Sequence, residues 1–425
     1  MDKELLLDVL KSEIERSVGC TDPGAVCLAV HKATCALGQK PSQVTVTVSP
    51  NIYKNGISVG VPGTGMRGLH IAAALGAVIG PGTAGLTMLD RSTEEDLTAA
   101  RDLIVRGKVV VGYAESPEPL YIKAQVSAGH SKAHAIISGD YTHVVEIALD
   151  GNVIHSAAGK ESAAVHETLK DHSLEQLFVA IGEMSLQELS FLLDAAAVNR
   201  QAAMAGLASP ASSRLGPALS SLHSDLPAPA AAAYHAQCLT AAACEARMSG
   251  LPVPVMAIAG SGNHGIANFL GILGVAETLH SSPEKTARAL AISSTVTVVI
   301  KAHSSRLSAF CGCAVAAAAG VAAGTVYLLG GSYADSVKAM QSVIGTLAGM
   351  VCDGAKESCA FKLSSSVALA VQFSYLALEG ASIPAGMGIL GGTIEKTFEN
   401  LGRLNNPGMV TADRLMLRMI ADGLP

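Results

Sequence analysis

From Leu307 to Ala334 the chain carries no charged side chain. A run of that length either crosses a bilayer or lies in the middle of a protein. Its composition separates the two. The run contains SAFCGCAVAAAAGVAAGTVYLLGG, mostly Ala and Gly with few Leu, Ile or Phe, and such a segment inserts weakly into a membrane. A buried central helix is expected instead, closely packed because small side chains let backbones approach.

The whole chain shares this character. Of 425 residues, 49% are hydrophobic and only 15% charged, where about 25% charged is usual, so global disorder is excluded. Aromatics make up 4% and Trp is absent, which leaves Ala, Val, Leu, Ile and Gly to build the core. A net charge of −6 argues against a dedicated nucleic-acid binder. The N-terminus, MDKELLLDVLKSEIERS, is charged throughout and is not a signal peptide. A cytoplasmic protein off the membrane is the expectation. Small-residue helices can also pack across a homodimer.

Periodicity predicts a helix over 2–17, ended by Gly19, and a second from Thr21-Asp22-Pro23 to about Leu37. Residues 43–61 alternate and read as two strands about a turn. Residues 67–80 and 93–106 read as helices. Strands dominate 108–156, with Gly139-Asp140 and Asp150-Gly151 as hairpin turns. Residues 185–205 read as helical, and 208–230, rich in Ser, Pro and Ala, as a loop. Ala-rich helices fill the rest. The expected class is α+β: a mainly helical, Ala/Gly-rich domain from 1–84 and 200–425, a smaller antiparallel-sheet module at 85–160, and a helical connection with its loop at 161–230.

Four of the nine cysteines fall between Cys311 and Cys359. Cys311 and Cys313 form a CxC, and Cys352 and Cys359 a Cx6C. This is not zinc-ribbon spacing, but three thiolates from separate turns can hold an iron–sulfur cluster with one iron open. Small buried hydrophobes are the alternative use of cysteine. Cys20 precedes a helix N-terminus, where the dipole favours a thiolate. Cys27, His31 and Cys35 share a helix face, but about 12 Å separates the outer two at 1.5 Å per residue, too far for one ion. Gly260-Ser261-Gly262-Asn263-His264-Gly265 follows an apolar run and precedes a helix. Without a second strand and acid it is no dinucleotide fingerprint, yet its free amides suit a substrate carboxylate, with Asn263 and His264 adding contacts. Asn51, Lys54 and Arg67 lie in polar turns that suit a carboxylate. Lys301, His303 and Arg306 precede the CxC and are placed to line a pocket.

Five segments together resemble the L-cysteine desulfidase family, a group of serine dehydratase-like alpha-chain proteins also called UPF0597. They are GCTDPGAV (19–26), SPNIYKNGISVGVPGTG (49–65), AGSGNHGI (259–266), FCGCAVAAAAG (310–320) and MVCDGAKESCAFK (350–362). The resemblance implies a [4Fe–4S] cluster on Cys352, Cys359 and either Cys313 or Cys311, a functional Cys20, and a substrate carboxylate at Gly260–Gly265. It implies β-elimination of L-cysteine to sulfide, ammonia and pyruvate without pyridoxal phosphate. Loss of the α-proton needs a base, for which Cys20, if a thiolate, and His264 are the candidates. The rivals are an L-serine dehydratase and a non-catalytic metal- or amino-acid-binding protein.

Overall fold

Asp2 caps helix α1 (Lys3–Glu13) by accepting from the Glu4 amide, and the chain then turns extended rather than helical. The predicted helix over 2–17 thus stops at Glu13, because Ile14–Val18 forms strand β1 against a distant partner, Pro254–Ile258. The computed structural model describes residues 2–80, 82, 85–116, 118–157, 165–209, 213–221 and 226–422. Gly19, left-handed at φ 69°, ends β1 and leads into α2 (Thr21–Leu37), with Pro23 in its first turn and Gly38 closing it.

Strand β2 (Gln43–Val48) follows. The second strand expected before residue 61 is instead helix α3 (Pro50–Gly56), with Pro50 at its first position, where proline has no amide to waste. Helices α4 (Leu69–Val78) and α5 (Glu94–Val105) follow, the latter opened by a Thr93–Asp96 capping box. Strands β3 (Val109–Tyr113), β4 (Tyr121–Ala128), β5 (Ser131–Ser138), β6 (Val144–Leu149) and β7 (Asn152–Ser156) complete a six-stranded sheet in the order β3-β2-β4-β5-β6-β7. The sheet is mixed rather than antiparallel throughout, because β2 and β3 run parallel. Its first strand in the sequence, β2, lies well before residue 85, so this layer begins upstream of the expected boundary. Asp150 and Gly151 are both left-handed, as a tight β6–β7 hairpin requires. Helices α2 and α4 cover one face, and Val26, Val30, Ile71 and Leu75 pack there on Val46, Ile122 and Ile137.

The remainder is a helical body: α6 (Leu174–Gly182), α7 (Leu186–Ala208), α8 (Leu215–Ser221), α9 (Ala228–Ser249), then strand β8 (Pro254–Ile258), and α10 (Gly262–Thr278), α11 (Pro283–Ser304), α12 (Ala318–Leu328), α13 (Tyr333–Leu347), α14 (Cys359–Leu378), α15 (Ile394–Arg403) and α16 (Val410–Asp422). The loop expected over 208–230 is partly helical, as α8 and the start of α9; residues 210–212 and 222–225 lie outside the described residues. The charge-free stretch becomes a π-helical turn at Cys313–Ala317 and the buried helix α12. Among the described residues one helix, α14, is long and apolar enough to cross a membrane by length and composition, and 44% of its apolar window is buried inside the protein. Glycines set the helix spacing: a Cβ on Gly274 would stand 2.5 Å from the Ala236 backbone, so α10 and α9 meet backbone to backbone.

Candidate active site

The two cysteine motifs lie some forty residues apart, and main-chain hydrogen bonds unite them. The Cys311 amide donates to the Met350 carbonyl at 2.7 Å, and the Cys352 amide donates to the Ala309 carbonyl at 2.7 Å. Phe310 and Val351 thereby pair as an antiparallel bridge. Cys313 opens the π-helical turn and Cys359 opens α14. Gly354 lets the second motif settle. Its φ is 91° and a Cβ there would lie 2.2 Å from the Lys54 carbonyl, so only glycine fits.

All four cysteines line one cleft of about 680 Å³, open to solvent on one side, between the helical body and the N-terminal end of α2. Cations surround them. Lys301, 2% exposed, donates to Ser308 Oγ at 3.1 Å; burial lowers its pKa to about 8, against a raising pull from the cysteines. Lys362 bonds Asp353 and the Val351 carbonyl behind the loop. The Cys311 thiol is held below its usual range, first by a hydrogen bond from Cys313, whose own thiol is pushed up by the same bond and by burial. Burial raises Cys352, and pushes Cys359 up to about 12. Among the described residues no three His, Cys, Asp or Glu side chains stand close enough to share a single metal ion. A multinuclear cluster makes no such demand, since each thiolate binds its own iron. An all-sulfur donor set flanked by Lys301 and Lys362 fits an iron–sulfur group.

His264 sits in the first turn of α10. Its Nδ1 lies 3.1 Å from the Ile258 carbonyl, which only accepts, so Nδ1 carries the proton and Nε2 is a free acceptor. Nε2 faces Gly312, where a Cβ would intrude to 2.6 Å. Burial, then Lys301, lowers this imidazole to about 3, so it stands neutral.

The facing wall is different. Cys20 precedes α2, as expected, but it is not held as a thiolate. Burial and the neighbouring Asp22 carboxylate push its pKa well up, and its Sγ donates to Asp22 Oδ2 at 3.2 Å. The dipole expectation fails because desolvation outweighs it at full burial. Asp22 accepts also from Tyr141 Oη at 3.4 Å, and burial raises it to about 6. Arg247 of α9 completes the wall, 2% exposed, with Nη1 donating to Asn263 Oδ1 at 2.9 Å.

Sequence reasoning therefore located much of the lining: Cys20, Ser261, Asn263, His264, Lys301, Arg306 and the four motif cysteines all face the cleft. Gly262 lies just behind it, packed on Arg247. Four residues stand elsewhere. Asn51 lines a separate polar pocket with Glu115 and Arg414. Lys54 is buried behind the cysteine loop, paired with Asp413, and Asn55 takes the place in the cleft. His303 packs toward Phe398. Arg67 pairs with Glu357 of the cysteine loop. On the Cys27–His31–Cys35 face, where no shared ion was expected, Cys27 is buried and Cys35 contacts His31 Nε2 at 3.4 Å. Sequence reasoning missed Asp22, Tyr141 and Arg247. Arg247 had a signal, as a cation inside the Ala-rich run AAACEARMSG.

Fold and cleft together define an α+β protein with a buried, thiol-lined site at the junction of a helical body and a mixed sheet. The chain matches the serine dehydratase alpha chain family over residues 83–418, and it belongs to that family. Relatives called UPF0597 proteins match end to end. One from Methanocella arvoryzae is 64% identical over 99% of each chain. One from Caldanaerobacter subterraneus is 39% identical over 98% of each, and one from Clostridium tetani 34% identical over 99% of each.

Proposed function

We propose that this member of a lyase family is an iron–sulfur L-cysteine desulfidase, releasing sulfide, ammonia and pyruvate. The observation that carries the reading is the meeting of four thiols from two distant motifs with a neutral imidazole in one cleft. Cys352, Cys359 and either Cys311 or Cys313 would hold a [4Fe–4S] cluster. When bound, such a cluster supplies a Lewis-acidic iron for a departing sulfur.

The protein's own groups handle the rest. His264 Nε2 is the acceptor for the substrate α-proton; burial and Lys301 make it a weak base, and an anionic substrate beside it raises its basicity. The electrons of the Cα–H bond form the Cα–Cβ double bond as the Cβ–S bond breaks and sulfide leaves. Aminoacrylate remains, tautomerises to the imine and takes up water to give pyruvate and ammonia. No electron is gained or lost. Cys20, a protonated thiol, is a proton donor on the facing wall. Unpaired amides at the start of α10, where Ser261 gives no side-chain cap, suit the substrate carboxylate.

The description of the matching family favours a second reading, dehydration of L-serine. Anaerobic purification with iron and acid-labile sulfide counted per chain, and product assays on both amino acids, separates them. About four iron per chain with sulfide from L-cysteine is expected. Pyruvate from L-serine alone would move the activity to dehydration, and no iron with no turnover would end both readings.

A further inference from the structure

Two buried charges of opposite sign share the cleft without pairing. Arg247 and Asp22 are 2% and 3% exposed. Each feels the other electrostatically, yet neither has an ion-pair partner among the described residues. Arg306, the neighbouring guanidinium, is already engaged by Glu13 and Asp140. Burial of an unpaired charge is costly and is retained where a ligand answers it.

Each charge also has unused bonding capacity. The Arg247 Nε is buried and has no hydrogen-bond partner. It lies against Gly262, where a Cβ would come within 2.5 Å of it, so the guanidinium rests on the uncapped N-terminus of α10. Amide donors and a guanidinium converge there, which is an environment for a carboxylate. Asp22 receives a thiol and a phenol, at 3.2 and 3.4 Å, and its own backbone amide. A carboxylate offers about four lone-pair sites, so an ammonium can still bind.

We propose that Arg247 and Asp22 form the two poles of an α-amino-acid receptor, Arg247 taking the α-carboxylate and Asp22 the α-ammonium. This rests on the amino-acid reading above and adds to it the residues that recognise the zwitterion. The side chain of the bound amino acid then points toward the thiol wall. Both are positioning residues for the reaction rather than groups that break its bonds.

Calorimetry on the anaerobic holoenzyme tests the assignment with three probes. These are L-alanine, which has no leaving group, 3-mercaptopropionate, which lacks the ammonium, and cysteamine, which lacks the carboxylate. Arg247→Met should weaken L-alanine and 3-mercaptopropionate by about tenfold or more and leave cysteamine within about twofold. Asp22→Asn should weaken L-alanine and cysteamine by a similar factor and spare 3-mercaptopropionate. Arg247→Lys should restore part of the loss, since charge returns without the fork. Iron content and circular dichroism report whether each variant folds. If both variants weaken both partial probes alike, or either variant spares all three, the division of roles is wrong while amino-acid binding stands. If the wild type binds none of the three, the amino-acid reading fails and the assignment fails with it.

Discussion

The two walls of the cleft use the same side chain in opposite ways. On the helical body, Cys311 is held toward its thiolate by a hydrogen bond from Cys313, with Lys362 near. Across the cleft, Cys20 is held as a thiol by burial and by the anion of Asp22. A helix N-terminus stands behind Cys20 and does not reverse this. The neighbours of a sulfur, more than its position on a helix, decide what it does.

The largest test of that contrast removes one sulfur from each wall. Cys359→Ala should lose iron and lower turnover on the order of 10³-fold or more, while Cys20→Ala should keep its iron. Equal iron loss in both would mean the walls are not distinct in role. Next is the loop that carries the second motif. Gly354→Ala puts a Cβ into the Lys54 carbonyl and strains a left-handed backbone, at about 2–4 kcal/mol. A melting temperature unchanged by this substitution would show that the loop is not seated as described.

The carboxylate wall gives a pH effect. Asp22 titrates at about 6 when folded against 3.8 as its ordinary value. The folded state therefore holds this proton more tightly. The stabilising contribution is complete below about 3.8 and is lost as pH rises through about 6, on the order of 2–3 kcal/mol. Asp22→Asn should remove that slope and gain stability at neutral pH, as denaturant midpoints between pH 4 and 8 would reveal. The facing thiol and phenol do not titrate in this window, since Cys20 and Tyr141 are raised well above it. Ammonium binding should run the other way, strengthening as pH rises through about 6. The smallest effect is expected outside both walls. Cys35→Ser, at an exposed thiol, should leave iron content alone and shift stability by less than about 0.5 kcal/mol; a loss of iron would overturn the reading that the α2 face takes no part in metal binding.

Local pattern made the helices α4 and α5, the five strands over 109–156 and the cysteine motifs legible, because each is written in consecutive residues. The strand β1 was hidden because Ile14–Val18 is extended only through pairing with β8, some 240 residues on. Helix α3 was misread although Ser49-Pro50 is a helix start, since alternation in VTVTVSP outweighed it. The lining cysteines could be named from their motifs. Asp22, Tyr141 and Arg247 could not be grouped, because they come from a helix, a sheet hairpin and a second helix that only the folded chain brings together. Lys54 and Asn51 show the converse: a polar turn signals exposure or function alike, and burial behind the loop was not visible.

The Phe310–Val351 bridge has a consequence for assembly. Its two amide bonds use no side chain of the intervening α12–α13 hairpin, so the sulfurs are gathered by the fold and not by the metal. Loading then resembles filling a mould, unlike the metal-driven folding of a zinc finger. The polypeptide should reach its native shape first and mature afterwards, with the buried α12–α13 hairpin part of that shape.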